Sequence, residues 1–202
     1  MKSQSKKWKR KDCINKMKDI IKALLGINPN KILKDKGVKI GNNVRLTIYP
    51  HKWSLPQVGS EPYLISIGDD TIISFGCTFL THDGAVNVVR KKEKYKKVIK
   101  FGYIKIGKNC FIGCNTTIMP NVSIGDNVII GANSLVTKSI QQNQVWAGNP
   151  AKFICTIDEY AEKMLKNTPE YDVENLKNNF KDESKKIAEL YNNKMKGIWH
   201  GK

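Results

Sequence analysis

Histidine is the side chain best suited to act as a general base at neutral pH, and this chain of 202 residues has only three. His200 lies in the terminal tail and His51 in an irregular stretch, whereas His82 stands where a regular pattern gives way to a loop. A side chain at such a junction points outward beside the emerging loop, as a base acting on a substrate must. We therefore expect His82 to be catalytic, with a surface histidine beside a turn as the alternative. Asp83 is a candidate to orient the imidazole, although its register directs it away.

Other residue types offer less chemistry. Cys114 is a conceivable nucleophile, but no second histidine stands in the pattern to activate it. The five cysteines form no C-x-x-C pair, which predicts no metal site and fits a reduced cytoplasm. The sequence contains no phosphate-binding Gly-Lys-Ser/Thr loop, no H-E-x-x-H and no Gly-x-Ser-x-Gly.

The pattern that precedes and follows His82 is a repeat of six residues. Neither an amphipathic helix nor an alternating strand has this period. Small or β-branched residues recur four places after each aliphatic residue, and each hexad therefore predicts one side of a coil. Stacked coils pair their backbones with their neighbours, which is a parallel β-solenoid. The aliphatic positions are Ile106, Ile112, Ile118, Ile124, Ile130 and Val136.

The same register occurs earlier in the chain. It returns at Ile67, Ile73 and Phe79 and, in a shorter block, at Ile40 and Leu46. Two excursions, at 49–64 and 84–103, separate the blocks, and such insertions map to loops that often lie on the binding face. Glycines after the aliphatic positions and asparagines at the turns are expected to adopt positive φ, the asparagines being Asn109, Asn121 and Asn127.

The chain divides into three predicted parts. Residues 1–37 form a basic tail with an amphipathic helix at 12–25, which either packs on the solenoid as a cap or lies on an anionic membrane surface. Residues 38–155 form the solenoid. Residues 156–202 form a helical extension, with helices predicted at 157–166 and 173–191.

The charge of +17 raises the question of nucleic acid binding. The excess is concentrated near the N-terminus and at 90–100, where few aromatic residues accompany it, so we do not expect nucleic acid as a partner. No apolar run approaches the ~20 residues that span a bilayer. The N-terminus begins with Lys and Trp rather than with an apolar signal core, which predicts a cytoplasmic location, the inner face of the membrane included.

Four segments and one triplet carry a resemblance to a known family. The segments are 104–113, 119–127, 131–138 and 147–152, and the triplet is Thr81-His82-Asp83. Together they resemble the hexapeptide-repeat acyltransferases, and among these the O-acetyltransferases of sugars and cell-surface polysaccharides. The resemblance covers about residues 38–155.

This resemblance implies a mainly β fold, a left-handed parallel β-helix with three hexads per coil. It further implies a homotrimer with active sites between subunits and acetyl-CoA as the acyl donor, without a metal. The implied activity is O-acetylation of a carbohydrate hydroxyl in a capsular, lipopolysaccharide or other cell-surface glycan precursor. Antibiotic O-acetylation, amino-sugar N-acetylation and a non-enzymatic solenoid scaffold stay open.

The resemblance also assigns roles to individual positions. His82 would be the general base, and the backbone N–H of Cys114, after Gly113, would stabilise the oxyanion. Ala132 matches a backbone contact to the pantetheine arm, while Thr137 and Lys138 match contacts further along CoA. Cys155 stands where a basic nucleotide contact is expected, and Lys152 is the candidate to replace it. The basic loop at 90–100 is expected either to favour an acidic or phosphate-linked glycan or to be a solvated surface.

Overall fold

The computed structural model of the protein describes residues 28–47 and 55–199, with side chains described up to residue 194. The expected N-terminal helix at 12–25, His51 and His200 lie outside these residues. The chain forms two compact units, of which the first ends at Ile157 and the second begins at Asp158.

Short strands of two or three residues build most of the first unit, followed by a longer pair, β12 and β13. The short strands are β1 (Lys39–Ile40), β2 (Arg45–Leu46), β3 (Ile65–Ile67), β4 (Ile72–Ile73), β5 (Thr78–Phe79), β6 (Ile104–Ile106), β7 (Phe111–Ile112), β8 (Thr117–Ile118), β9 (Val122–Ile124), β10 (Ile129–Ile130) and β11 (Leu135–Val136). The longer pair is β12 (Gln144–Gly148) and β13 (Ala151–Thr156).

Three sheets run along the stack of coils. Their strand orders are β1-β3-β6-β9, β2-β4-β7-β10-β12-β13 and β5-β8-β11, and only β12 and β13 pair antiparallel. Ile112 pairs with Ile130, 18 positions later, and Ile118 pairs with Val136 at the same spacing. A step of 18 residues is three hexads, so each coil has three sides. The fold is the left-handed parallel β-helix that the resemblance implied.

The six-residue period fills the interior as predicted. The aliphatic positions from Ile106 to Val136 are all buried, and so are the positions four residues after them. Polar groups at these corners bond to the next coil: the Thr116 hydroxyl donates to the Gly131 carbonyl at 3.2 Å, and the Cys110 thiol donates to the Gly125 carbonyl at 3.1 Å. Small residues are needed there because the chain turns tightly around them and their polar atoms must find partners.

The turns are made by asparagines in the left-handed region, as predicted. Asn109, Asn121 and Asn127 have φ of 51°, 64° and 55°. The side-chain amide of Asn109 donates to Asn127, and that of Asn127 donates to Asn143, each at 2.9 Å. Asparagine therefore has two roles at these turns: it tolerates positive φ, and its side-chain amide links successive coils.

The prediction of positive φ is wrong for the glycines that follow the aliphatic positions. Gly107, Gly113, Gly125 and Gly131 are absent from the positive-φ residues of the described chain. Their requirement is steric instead, because a Cβ on Gly113 would lie 2.5 Å from the backbone nitrogen of Ala132 on the next coil. Glycine at these positions lets neighbouring coils approach to the spacing of a β-sheet.

A short helix, α1 (Pro29–Asp35), for which the sequence analysis made no prediction, precedes the first coil. Asn28 caps it by accepting a hydrogen bond from the Asn30 N–H at 2.9 Å, and proline is favoured at the first helical positions. Leu33 on this helix is fully buried in the core of the solenoid. The helix therefore packs on the first coil.

The second unit is helical. It contains α3 (Ile157–Asn167), α4 (Val173–Asn178) and α5 (Phe180–Trp199), while α2 (Val86–Val89) belongs to the second excursion. The prediction of α3 is confirmed, but that of one helix over 173–191 is wrong, since Asn179 leaves the helical region at φ −133°. Buried Glu183 accepts a hydrogen bond from Asn175 at 2.8 Å, which ties α4 to α5. Within the described residues, no helix is long and apolar enough to span a bilayer.

Candidate active site

His82 stands at the base of the second excursion, three residues after β5. It forms an antiparallel bridge with Phe101, and the N–H of Gly102 donates to the Thr81 carbonyl at 2.8 Å. The two ends of the excursion therefore meet at the histidine. The His82 side chain is 44% exposed, and its ring packs edge-to-face with that of Phe101 at a centroid distance of 6.2 Å. The imidazole is held at the surface, where a substrate can reach it.

The partner of His82 is Glu61, a residue of the first excursion that sequence reasoning missed. Nδ1 of His82 lies 2.8 Å from Oε2 of Glu61, and the Thr81 hydroxyl donates to the same oxygen at 2.7 Å. The Glu61 side chain is only 14% exposed, whereas that of His82 is open to solvent. A partly buried carboxylate thus fixes one nitrogen of an exposed imidazole.

The ionisation of Glu61 decides which nitrogen of His82 can act. Burial raises the pKa of the Glu61 carboxyl, but hydrogen bonds from Thr81, His82 and Ser60 outweigh it and leave the pKa below its ordinary value. An ionised carboxylate only accepts hydrogen bonds, so Nδ1 must carry the proton. The lone pair of the neutral ring then resides on Nε2, which is the nitrogen available as a base.

Asp83 does not take the orienting role that the sequence offered it. Its carboxylate accepts from the Ala85 N–H at 3.0 Å and pairs with Lys100 at 3.1 Å. The Ala85 hydrogen bond, followed by the Lys100 ammonium, lowers the pKa of the Asp83 carboxyl. Asp83 therefore shapes the start of the excursion, as its register away from the imidazole suggested.

An irregular repeat unit at the end of the first excursion brings Glu61 next to His82. Gln57 bridges Thr78 in parallel register, an offset of 21 positions, and the same offset places Glu61 opposite His82. Buried Val58 fills the slot beside Phe79, so it is the aliphatic residue of this hexad. The first excursion thus ends as a third side of the first coil. A search for Val58 as a displaced repeat position would have revealed Glu61 from the sequence.

Three other expected site residues form a column on a different corner. Gly113 and Cys114 follow β7, and Ala132 follows its neighbour β10. The N–H of Asn133 donates to the Cys114 carbonyl at 2.8 Å, which stacks the two turns directly. Cys114 is partly exposed and Ala132 is exposed. Among the described residues, the Cys114 N–H donates to no protein acceptor.

The remaining expected contacts lie along the same solenoid. Thr137 and Lys138 follow β11 and are exposed. Lys152 is exposed on β13, opposite Ala147 of β12. Thr137 thus lies at the corner that follows the three-stranded sheet, the same corner that carries His82, with β8 between their strands.

The structure does not bring His82 and Cys114 together within one chain. Cys114 lies before β8, whereas His82 lies after β5, the neighbour of β8 in the same sheet. The two residues therefore lie at opposite ends of the strands of the three-stranded sheet. Within one chain, this separation also removes His82 as a partner that could activate the Cys114 thiol. The part of the chain that the structure describes contains no group of three His, Cys, Asp or Glu residues that could hold a metal ion.

Comparisons with known proteins agree with this architecture. The family model "Bacterial transferase hexapeptide (six repeats)" matches residues 103–138. Protein CapG of Staphylococcus aureus is 45% identical over 150 residues, which cover 72% of this chain and 84% of CapG. The chain belongs to the hexapeptide-repeat acyltransferase family.

Two further relatives of this acyltransferase align over shorter stretches. YvoF of Bacillus subtilis (strain 168), named as an acetyltransferase, is 35% identical over 105 residues, covering 52% of this chain and 55% of YvoF. A protein of Lysinibacillus sphaericus named as a macrolide acetyltransferase is 52% identical over 63 residues, covering 30% of this chain and 35% of that protein. The stretch matched by the family model contains Cys114 and Ala132, while Glu61 and His82 lie before it.

Proposed function

We propose that this acyltransferase moves an acetyl group from acetyl-CoA to a hydroxyl of a carbohydrate, with His82 as general base. The observation that carries the proposal is the 2.8 Å contact between Nδ1 of His82 and the Glu61 carboxylate. This contact leaves Nε2 of His82 as the basic nitrogen and fixes the orientation of the ring. The chain also belongs to an acyltransferase family. The sugar and polysaccharide O-acetyltransferases that the motifs resemble support the carbohydrate acceptor.

The reaction follows from these groups. Nε2 of His82 takes the proton of the acceptor hydroxyl while its oxygen attacks the thioester carbonyl carbon. The new C–O bond gives a tetrahedral oxyanion, whose collapse breaks the C–S bond. The imidazolium returns its proton to the departing thiolate, so the products are an acetyl ester and CoA. Glu61 stabilises the transient imidazolium through its negative charge.

The proposed CoA contacts lie on both corners that flank the three-stranded sheet, with Cys114 before β8 and Thr137 after β11. The Cys114 N–H donates to the oxyanion, a type of contact worth about 3 kcal/mol of transition-state stabilisation in other enzymes. The backbone at Gly113 and Ala132 holds the pantetheine arm. Thr137, Lys138 and Lys152 hold the distal part of CoA, with Lys152 replacing a basic residue at the position of Cys155.

The complete site requires a second copy of the chain. Since His82 and Cys114 occupy different corners, we place the reacting thioester between the His82 corner of one copy and the Cys114 corner of the next. Three copies around an axis complete three such sites, as in the homotrimer implied by the family resemblance. Exposed apolar side chains on the solenoid support a buried interface, namely Tyr103, Phe111, Phe153 and Ile154.

Antibiotic acetylation is the second candidate, because the relative named as a macrolide acetyltransferase matches at 52% identity. Macrolides that bear an amino sugar are cations at neutral pH. The excursion beside His82 carries seven Lys and Arg against one Glu, which disfavours a cationic acceptor. The glycan acceptor therefore fits this chain better.

A screen of acceptors tests the proposal. CoA release from acetyl-CoA is measured with neutral glycans, phosphorylated glycans, amino sugars and macrolides, and the product is then treated with mild base. We expect acetylation of a glycan and loss of the acetyl group in base, because esters hydrolyse there and amides do not. A base-stable product would show N-acetylation instead, and turnover with macrolides alone would overturn the glycan assignment.

A further inference from the structure

The second excursion, residues 84–103, is a folded loop that starts and ends at His82. Here it is called the basic loop. Helix α2 (Val86–Val89) and a 3-10 turn at Glu93–Tyr95 give it internal structure. The Arg90 guanidinium donates to the Val98 carbonyl, which links its two halves. Both ends of the loop pair beside His82, so the loop projects from the corner that carries the imidazole.

Much of the positive charge of the basic loop is unneutralised. Lys100 pairs with Asp83 at 3.1 Å and Lys96 pairs with Glu93 at 3.0 Å. The other lysines of the loop have no acidic partner among the described residues, and all are exposed: Lys91, Lys92, Lys94 and Lys97. Solvated cations of this kind attract an anion without having to break an existing ion pair.

The charge is distributed unevenly over the chain. Residues 158–202 contain nine Lys and nine Asp or Glu, so the net charge of +17 belongs to the residues before them. The basic loop contributes +6 of this excess from 20 residues. A general excess of Lys and Arg over the whole chain would also give the second unit a positive net charge. Residues 1–36 carry +9, and of the +8 carried by residues 37–157 the basic loop beside His82 holds +6.

On the basis of the proposed acetyl transfer, we infer that the acceptor carries a phosphate group and that the basic loop binds it. Lysine ammonium groups bind phosphate as point charges and tolerate varied geometry, which suits four exposed side chains on one loop. The phosphate seats on the loop while the acceptor hydroxyl reaches Nε2 of His82. A sugar phosphate and a nucleoside diphosphate sugar share this chemistry and differ in what the phosphate joins.

The test compares acceptors that differ only in phosphate. Initial rates of acetyl transfer are measured with a free sugar, its 1-phosphate and its nucleoside diphosphate derivative. The triple variant Lys91→Ser/Lys92→Ser/Lys97→Ser removes cations from the loop, and Lys163→Ser/Lys166→Ser/Lys181→Ser removes three exposed lysines from the second unit as a matched control. The wild type should prefer the phosphorylated acceptors, and whichever of the two is preferred identifies the source of the phosphate.

We expect the loop variant to lose about tenfold in kcat/KM for the phosphorylated acceptor, mainly through acceptor KM, and less than about twofold for the free sugar. The preference should also weaken at high salt, because the cations are exposed. The control variant should behave as the wild type.

Three results would overturn the inference. Equal kcat/KM for free and phosphorylated sugars in wild type and loop variant would show a merely solvated loop. A rise in KM for acetyl-CoA alone would assign the lysines to the phosphates of CoA. Lost binding to vesicles of anionic lipid, with unchanged kinetics on soluble acceptors, would assign them to a membrane. Failure of the acetyl-transfer proposal itself looks different, since no acceptor would then be acetylated.

Discussion

Glu61 and His82 face each other across two adjacent coils, with Oε2 of the carboxylate 2.8 Å from Nδ1 of the imidazole. The parallel register between Gln57 and Thr78 sets this pairing. Glu61 is therefore a positioning residue whose place is fixed by the solenoid itself. Its hydrogen bond from the buried Thr81 hydroxyl holds the carboxylate in the orientation that fixes the imidazole.

The change Glu61→Gln should lower kcat by roughly 10- to 100-fold, because the amide can donate to Nδ1 and thereby favour the tautomer that lacks a free Nε2. The KM for acetyl-CoA should stay within about twofold of wild type, as Glu61 is not expected to contact CoA. Steady-state kinetics measure both effects.

Glu174→Gln makes the same chemical change on α4 and serves as the control for this experiment. Its kinetics should match those of the wild type. An unchanged kcat in Glu61→Gln would contradict the positioning role, whatever its effect on stability.

The lowered pKa of Glu61 also predicts how stability depends on pH. A carboxyl whose pKa is lower in the folded state stabilises the fold above its unfolded pKa, and this contribution is lost as pH falls through the folded pKa. The unfolded value is near 4.5. The melting temperature of wild type should therefore exceed that of Glu61→Gln at pH 7, and the difference should shrink below about pH 4.5. A difference that stays constant between pH 7 and pH 3 would refute this linkage.

The steric role of the repeat glycines gives a stability prediction. A Cβ at Gly68 would lie 2.6 Å from backbone atoms of Gly107 on the next coil, and the backbone cannot move aside without separating the coils. Gly68→Ala should reduce the free energy of unfolding by about 2 kcal/mol or more. Gly84→Ala is the matched control, since nothing lies within 4 Å of its added Cβ, and it should change stability by less than about 0.5 kcal/mol. Chemical denaturation compares the two, and equal effects would contradict the steric explanation.

The sequence predicted the solenoid well because its determinants are local. Ile112, Thr116 and Asn109 each occupy a slot that recurs every six residues, and their burial or positive φ follows from that slot. Glu61 escaped prediction because the insertion in the first coil shifts Val58 out of the period. Its pairing with His82 is a contact between two coils, and the six-residue spacing within one coil does not predict it.

Two other failures have similar physical reasons. The glycines after the aliphatic positions were correctly singled out, but the cause is the approach of Gly113 to the next coil rather than positive φ. The break at Asn179 interrupts an otherwise helical pattern and is accompanied by the packing of Glu183 against Asn175. In both places tertiary contacts, rather than local propensity, decide the conformation.

The reactivity of the cysteines tests whether Cys114 lies in the proposed CoA site. Burial raises the pKa of the Cys77 thiol to about 11, and Cys77 and Cys110 are both buried, whereas Cys114 and Cys155 are partly exposed. Alkylation of the native protein at pH 7.5 or thereabouts should modify Cys114 and Cys155 and spare the buried pair, because thiolate and access are both required. Mass spectrometry of the labelled peptides measures this.

Bound CoA should slow the labelling of Cys114 several-fold, since its backbone is proposed to contact the thioester. The buried Cys77 and Cys110 supply the internal control, because they should stay unlabelled with and without CoA. Labelling of Cys114 at an unchanged rate in saturating CoA would contradict its place in the site.

The rate of acetyl transfer by His82→Ala tests the central claim most directly. CoA release should be measured with the best acceptor from the screen, in wild type, His82→Ala and the control His200→Ala. General-base catalysis predicts a loss of about 100-fold or more in kcat for His82→Ala, with KM for acetyl-CoA little changed and His200→Ala like wild type. A His82→Ala protein that is folded and releases CoA at the wild-type rate would contradict the account.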